Sequence, residues 1–403
     1  DLVALFPRER RKKYQACLKR SFLQWSPRIK AFTKMERIPI VKRGMPKAPR
    51  LIQARAPEFN FLLAAFTKPL EHRLYDWSMQ GLRVIAKGLN LRQRAELILT
   101  SWARYQSPMA LALDCTDWDG HVSQSLLAVE HEYYQSCFPG NSQLAALLRC
   151  QMVNKGTTLC GIRYSVLGAR MSGDMNTALG NCVLAAILAL EAICSVDPAA
   201  LTNRAVNIIC DGDDTILVGE RGFITRVQEE APAVYARYGQ ELRVDGVATE
   251  VTEVEFCQHK PFRRSDGIWV MCPDPKKVLQ TAFMATGCNS FNLAYFGTLW
   301  DQRARIHTGV PCYAELFSRL ARDNPHRLNG EHFFGFEHAD PELPPCDVTM
   351  EERFLFQRQW GVTIEQQWAF ENAEVLFDPG ASAGEPARWG KCPERHLPVL
   401  SRK

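Results

Sequence analysis

No Cys-x-x-Cys pair occurs in this chain, and no cysteine–histidine cluster has zinc-finger spacing, which excludes the common structural zinc sites. The 14 cysteines are scattered singly over 403 residues, the pattern of thiols in a reducing compartment rather than of a disulfide framework. Cys257 and His259 stand too isolated to argue for a metal. No signal peptide and no internal repeat are visible. The longest apolar run, residues 182–190, is cut by Glu191 before it is long enough to cross a bilayer. The first residue is Asp1 rather than Met, which fits a fragment or a processed product, and a membrane-recruiting region is expected upstream of it.

What is present is the composition of a folded protein, 46% hydrophobic and 23% charged, with length for a large core and two or three subdomains. The net charge of +5 is unevenly spread. Residues 1–60 hold 16 Lys and Arg against 4 Asp and Glu, so this segment carries +12 and the remainder −7. A basic segment ahead of a mildly acidic remainder points to a polyanion track beside a carboxylate-lined site; a merely soluble basic surface is the plainer alternative.

Proline at 7, 27, 39, 46, 49 and 57 predicts irregular, extended structure for residues 1–60 rather than one long helix. The pattern turns helical from Glu58 to about Ala103. Residues 109–113 are expected as a strand ending at Asp114, after which Val122, Leu126, Val129 and Tyr133 recur at helical spacing. Residues 163–167 read as a strand, 177–194 as a long helix, 223–238 as an amphipathic helix and 254–262 as a strand. Helices and loops are expected after Lys276, with a mobile tail over 378–391.

Two apolar, β-branched runs flank Asp211-Gly212-Asp213-Asp214, which predicts a buried hairpin with carboxylates at its tip. Adjacent carboxylates without a nearby cation repel each other in a dry site. Mg²⁺, which takes hard oxygen ligands, relieves that repulsion. A second acidic strand end, Asp114-Cys115-Thr116-Asp117-Trp118-Asp119, lies upstream. If strand 109–113 pairs beside the hairpin, Asp114 leaves the sheet next to Asp213, and two metals about 3.5–4 Å apart would clamp an in-line phosphoryl displacement. Taken singly, Asp114 also fits a helix N-cap, and Asp119 a turn residue before Gly120. Between the acidic sites, Ser172-Gly173 makes a loop ahead of a helix on which Thr177 and Asn181, four apart, share one face. Such a face suits a sugar and a nucleic-acid backbone; it equally fits a capping loop before satisfied polar residues of a core helix.

Taken in order, these motifs resemble the viral RNA-dependent RNA polymerases of positive-strand viruses, most closely the tombusvirus-like group. The palm pattern D-x4-D, S-G-x3-T-x3-N, G-D-D is met by Asp114/Asp119, Ser172-Gly173/Thr177/Asn181 and Gly212-Asp213-Asp214. Phe32-Thr33-Lys34-Met35-Glu36 with Lys47-Ala48-Pro49-Arg50-Leu51-Ile52-Gln53-Ala54-Arg55, and Phe256-Cys257-Gln258-His259-Lys260-Pro261, are similar to that group specifically. The likeness covers roughly residues 32–262 and leaves 276–403 without a motif.

The resemblance implies an α/β right-hand polymerase, its palm an antiparallel sheet with packed helices. Fingers would span 1–105, the palm 106–270 with an interleaved fingers segment at about 138–168, and the thumb and tail 271–403. Asp114 and Asp213 would be the principal metal ligands, supported by Asp214, for Mg²⁺ with Mn²⁺ as substitute. Asp119, Thr177 and Asn181 would read the ribose 2′-hydroxyl, with Ser172 and Gly173 lining the nucleotide site. Lys34, Arg50 and Arg55 would grip the triphosphate, or else contact RNA phosphates or solvent. Residues 256–261 would lie at the palm–thumb junction near the primer. The implied partners are RNA template, nascent RNA, NTPs and viral or host replication proteins, in membrane-associated complexes of the host cytoplasm. Two departures stand out. Thr116-Asp117-Trp118 replaces the group's usual Ser-Arg-Phe, and no lysine lies between Gly219 and Gln258. Arg226, Arg237 and Arg243 are poor proton donors, so His259 and Lys260 are the candidates for protonating pyrophosphate. A reverse transcriptase and a catalytically silent RNA-binding scaffold are the alternatives; Asp119 and Asn181 argue against the first, the intact aspartates against the second.

Overall fold

The computed structural model describes residues 2–6, 8–18, 26–34, 49–244, 246–283, 293–328, 340, 342–376 and 399–401. Met35, Glu36, Lys47 and Ala48 of the similar stretches, and the tail 378–391, lie outside the described residues. In chain order the elements are a 3-10 turn (Leu2–Leu5), α1 (Arg8–Leu18), β1 (Ile29–Thr33), β2 (Leu51–Arg55), α2 (Pro57–Tyr75), β3 (Ser78–Met79), β4 (Leu82–Arg83), α3 (Leu91–Trp102), β5 (Pro108–Thr116), α4 (Trp118–His121), α5 (Gln124–Cys137), α6 (Ser142–Met152), β6 (Val153–Thr158) and β7 (Arg163–Leu167). They continue with α7 (Thr177–Val196), β8 (Val206–Asp211), β9 (Asp214–Glu220), α8 (Arg221–Arg237), β10 (Glu241–Arg243), β11 (Val247–Ala248), β12 (His259–Arg263), β13 (Trp269–Pro273), α9 (Pro275–Ala282), α10 (Leu293–Ile306), α11 (Tyr313–Asp323), α12 (Met350–Trp360), α13 (Ile364–Glu371), β14 (Glu374–Leu376) and β15 (Val399–Ser401). Helices and strands mix throughout, in keeping with the α/β class. The chain divides into two compact units, Asp1–Lys34, Ile38–Lys87 and Ser101–Thr249 in the first, Met35–Arg37, Gly88–Thr100 and Glu250–Lys403 in the second.

The first unit holds two sheets, ordered β2-β1-β6-β7 and β10-β5-β9-β8, with β11 also on β5. In the second of these, β5 and β8 flank β9 antiparallel, with Leu111 opposite Leu217 and Ile209 opposite Ile216. Val206–Cys210 and Thr215–Gly219 are buried without alternation, as expected for strands covered on both faces. Helix α7 is apolar all round because it is the core helix, packed by α8, β8, β9, α5 and α2. Among the described residues it is also the one helix long and apolar enough to cross a membrane, though most of it is buried in the core.

Two expectations need correction. Residues 8–18 form a helix, because no proline falls between 7 and 27 and Tyr14 and Cys17 recur on one face that packs with Phe6 and Phe61. The strand expected over 254–262 begins only at His259. Cys257 and Gln258 both take left-handed backbone, φ 51° and 62°, and close a tight turn in which Phe256 and His259 exchange backbone hydrogen bonds of 2.9 and 3.1 Å. Two non-glycine residues in that region cost roughly 1–2 kcal/mol each.

The second unit packs α9–α13 and the β12–β13 hairpin around Phe262, Phe296, Trp300, Tyr313, Phe317 and Phe356. Trp300 Nε1 donates to Ala282 O at 2.9 Å, so the largest buried ring leaves no donor unpaired. Capping boxes start α12 (Thr349 with Glu352) and α13 (Thr363 with Gln366). Arg353 holds Glu371 through two bonds of 2.9 Å.

His307 is buried in this unit against Tyr313. Burial first, then Arg303 and His259, pushes its pKa well below 6.5. The unfolded chain therefore takes the proton first as pH falls. The stability this neutral ring carries is intact above about pH 6.5 and lost below it, at up to about 1.4 kcal/mol per pH unit. Urea unfolding at pH 7.5 and 5.5 should show the loss, and His307→Phe should make the pH dependence shallower.

Candidate active site

The acidic tip is set by backbone conformation. β8 ends at Asp211 and β9 starts opposite it at Asp214, leaving Gly212-Asp213 as a two-residue loop. Gly212 has φ +73° and Asp213 is not left-handed, the arrangement of a II′ hairpin turn with glycine first. A Cβ at Gly212 would meet nothing within 4 Å, so the demand is for φ, not for room. The Gly212 N–H donates to Cys182 Sγ at 3.2 Å and ties the tip to α7.

Asp114 follows directly on the Leu113–Thr215 pair of β5 and β9, which brings it beside the tip as the strand pairing predicted. It lies within β5, exposed and opposite Arg243 of β10. It is not a helix cap: Ser123 caps α5 by accepting from Leu126 N. Asp213 is exposed in its turn, yet lost hydration, then Asp114 and Asp211, push its carboxyl pKa above the ordinary value, with Lys87 opposing. Lys87 Nζ stands 3.3 Å from Asp211 Oδ1, a cation 124 positions away that no sequence pattern announced. Burial beside Asp114 and Asp213 pushes the Cys115 thiol up to about 12, which keeps it an un-ionised neighbour.

Hard oxygen donors that crowd each other in this way fit Mg²⁺, which takes one or two protein carboxylates and fills its shell with water and substrate phosphates. Among the described residues no three Asp, Glu, His or Cys side chains form a ready-made cage. The protein offers an open carboxylate face.

Asp119 lies in α4, not in a simple turn, and accepts from Asn181 Nδ2 at 3.1 Å. Burial pushes its pKa up, while the Asn181 bond and Arg170 pull it down. Thr177 Oγ1 donates to Met171 O at 2.8 Å, which secures the start of α7. Ser172 Oγ accepts from Gln53 N and donates to Leu51 O, at 3.2 and 3.3 Å, fastening the Ser172-Gly173 loop to β2. A Cβ at Gly173 would stand 2.7 Å from Ala54 Cα and from Gln53 O, so this close approach requires glycine. Lys34 N donates to Arg50 O at 2.8 Å, placing both basic residues at one end of the β1–β2 pair.

Arg55 departs from the expected triphosphate grip. Its side chain is buried, with Nε donating to Asp174 Oδ1 at 2.8 Å, Nη1 to Pro27 O at 2.6 Å, and Nη2 to Asn154 Oδ1. It is the one inward residue of β2. Behind it a polar network runs through the interior. Gln151 Nε2 reaches Asp174 Oδ2 and Asn176 Oδ1, both at 2.8 Å. Asn176 Nδ2 and Tyr134 Oη donate to Glu130 Oε1 at 2.8 and 2.7 Å. Glu130 pairs through both oxygens with Arg170, whose Nε donates to Asn181 Oδ1 at 2.9 Å. Sequence reasoning missed Glu130, Gln151, Arg170 and Asp174. Asp174 did sit inside a motif, but Glu130 and Arg170 are 40 positions apart and meet only in the fold. In the second unit, Lys260 Nζ is held by Glu253 Oε2 at 3.0 Å and Gln359 O at 3.1 Å, and His259 Nδ1 lies 2.7 Å from Cys257 O.

A family model described as viral RNA dependent RNA polymerase matches residues 9–378. The chain belongs to the viral RNA-dependent RNA polymerase family. Proteins named RNA-directed RNA polymerase are similar to it: that of Carnation mottle virus is 30% identical, over 92% of this chain and 50% of its own length. That of Turnip crinkle virus is 31% identical over 87% and 47%, and that of Tobacco necrosis virus (strain A) 33% over 87% and 49%. These relatives agree with the tombusvirus-like resemblance, and the chain spans about half the length of the relatives it matches.

In this family member, Gly180 inside α7 is explained by the buried pair. A Cβ there would overlap Glu130 Oε1 and meet Arg170 Nη2 at 2.6 Å. Helix propensity alone favours Gly180→Ala by about 1 kcal/mol. Overpacking against the pair should reverse the sign, to a net loss of about 1–3 kcal/mol in denaturant unfolding.

Proposed function

We propose that this chain carries the catalytic unit of an RNA-dependent RNA polymerase that replicates a positive-strand viral RNA genome. The reaction is template-directed transfer of a nucleotidyl group from an NTP to an RNA 3′-hydroxyl. What supports this reading most is the pairing of β5 with β9, which sets Asp114 beside Asp213, next to the Asp119–Asn181 hydrogen bond. Asp114 and Asp213, supported by Asp214, would hold Mg²⁺ or in its place Mn²⁺. Such an ion, when bound, neutralises phosphate charge and makes the 3′-hydroxyl more acidic.

The chain's own residues then divide the remaining work. Asp119, Thr177 and Asn181 would meet the ribose 2′-hydroxyl, a group that both donates and accepts. Lys34 and Arg50 would attract the triphosphate, and the Ser172-Gly173 loop would bring backbone close to the nucleotide. The sheet β2-β1-β6-β7 joins strands from 1–105 with strands from 138–168, which supports interleaved fingers. The sheet around β5, β8 and β9 supports a palm within 106–270, and the helices after 271 a thumb. RNA template, nascent RNA and NTPs are the expected partners. Viral or host replication proteins would join them in membrane-associated complexes of the host cytoplasm, reached through a region outside these 403 residues.

NTP incorporation on a single-stranded RNA template, with and without primer and with Mg²⁺ or Mn²⁺, tests the reading. Asp213→Ala/Asp214→Ala should lower incorporation by about 10²-fold or more while the protein stays folded. RNA affinity should fall by about tenfold or more between roughly 50 and 200 mM salt. Folded protein that binds RNA yet makes no product with either metal would instead point to a replication scaffold or to a fragment lacking an essential upstream piece.

A further inference from the structure

We propose that Arg170, held by Glu130, is a positioning residue that sets ribose selectivity by fixing which way the Asn181 amide faces. This rests on the reading of Asp119 and Asn181 as contacts to the 2′-hydroxyl. A guanidinium only donates hydrogen bonds. Arg170 Nε at 2.9 Å must therefore meet the Asn181 carbonyl oxygen, and the amide nitrogen must face Asp119, 3.1 Å away. With the amide reversed, an oxygen would confront the Asp119 carboxylate and two donors would confront Arg170. The amide so oriented engages Asp119 Oδ1, and the second carboxylate oxygen is the acceptor for a 2′-hydroxyl proton.

Arg170 is itself clamped. Its guanidinium meets both oxygens of Glu130, and side chains of both residues are 2% exposed or less. Tyr134 and Asn176 fix the Glu130 carboxylate in turn, and Gly180 leaves the space in which the pair passes α7. Neither Arg170 nor Glu130 touches the nucleotide; both act through Asn181.

The test measures kcat/KM for an NTP and for the matching 2′-deoxy NTP on one primed RNA template. Glu130→Gln/Arg170→Met removes the guanidinium without stranding a buried charge. The expected result is folded protein whose NTP-to-dNTP ratio falls by about tenfold or more, through loss with the NTP. A ratio within about twofold of the parent overturns the proposal. Should the double variant not fold, Glu130→Gln/Arg170→Gln keeps a neutral hydrogen-bonding pair but puts an amide, which can present either an oxygen or a nitrogen, in place of the donor-only guanidinium that orients Asn181. Its ratio is held to the same thresholds, a large fall supporting the role of Arg170 and an unchanged ratio overturning it. Asn181→Ala and Asp119→Ala run alongside. If they too leave the ratio unchanged, the reading of the ribose contacts fails; if they collapse it and the Arg170 variants do not, only the role of Arg170 fails.

Discussion

Two buried ion pairs, Arg55–Asp174 and Arg170–Glu130, hold the parts of the first unit that surround the start of α7. Taking such charges out of water costs several kcal/mol per ion, and the attraction offsets this only when every remaining donor and acceptor is satisfied. Each nitrogen and each carboxylate oxygen of the two pairs has a partner, with Asn154, Pro27 O, Gln151, Asn176, Tyr134 and Asn181 completing the surroundings. Gln151 and Asn176 join the pairs into one network. β2, α5, α6, the loop before α7 and α7 itself are thus located by directional contacts, which specify one arrangement where apolar packing would tolerate several. Removing one charged member of either pair would leave its partner an uncompensated buried charge, a loss of roughly 3–5 kcal/mol.

The acidic tip follows the opposite logic. Asp114, Asp213 and Asp214 are exposed, while β8 and β9 are buried and the turn is fastened to α7 through Cys182. A rigid frame under crowded, mutually repelling carboxylates suits chemistry that needs fixed charge and an incoming substrate. Lys87 tempers the charge at Asp211 without entering the turn. Asp119, one of the proposed ribose contacts, and the interior network meet at Asn181, which bonds outward to Asp119 and inward to Arg170. That one amide joins the exposed and the buried halves of the site.

Much of this was legible in the chain. The hairpin around Gly212, the strand ending near Asp114 and the long apolar helix after Asn176 follow from period, glycine placement and β-branched runs, because local sterics and burial decide them. The helix at 8–18 was hidden behind the prolines on either side, and the turn at Cys257-Gln258 could not be foreseen because neither residue favours left-handed backbone. Arg55 read as a phosphate contact because its type and motif suit one; its inward direction depends on strand register and on finding Asp174 119 positions away.

The sequence by itself determined the acidic motifs, their order and the family they belong to, since each is carried by neighbours within a few residues. Only the tertiary structure decided which charges face water and which are neutralised inside. Burial and ion pairing join residues far apart in the chain, so Glu130 and Arg170 become a pair, and Asn181 acquires a fixed face, only once α5, α7 and the loop between β7 and α7 have packed.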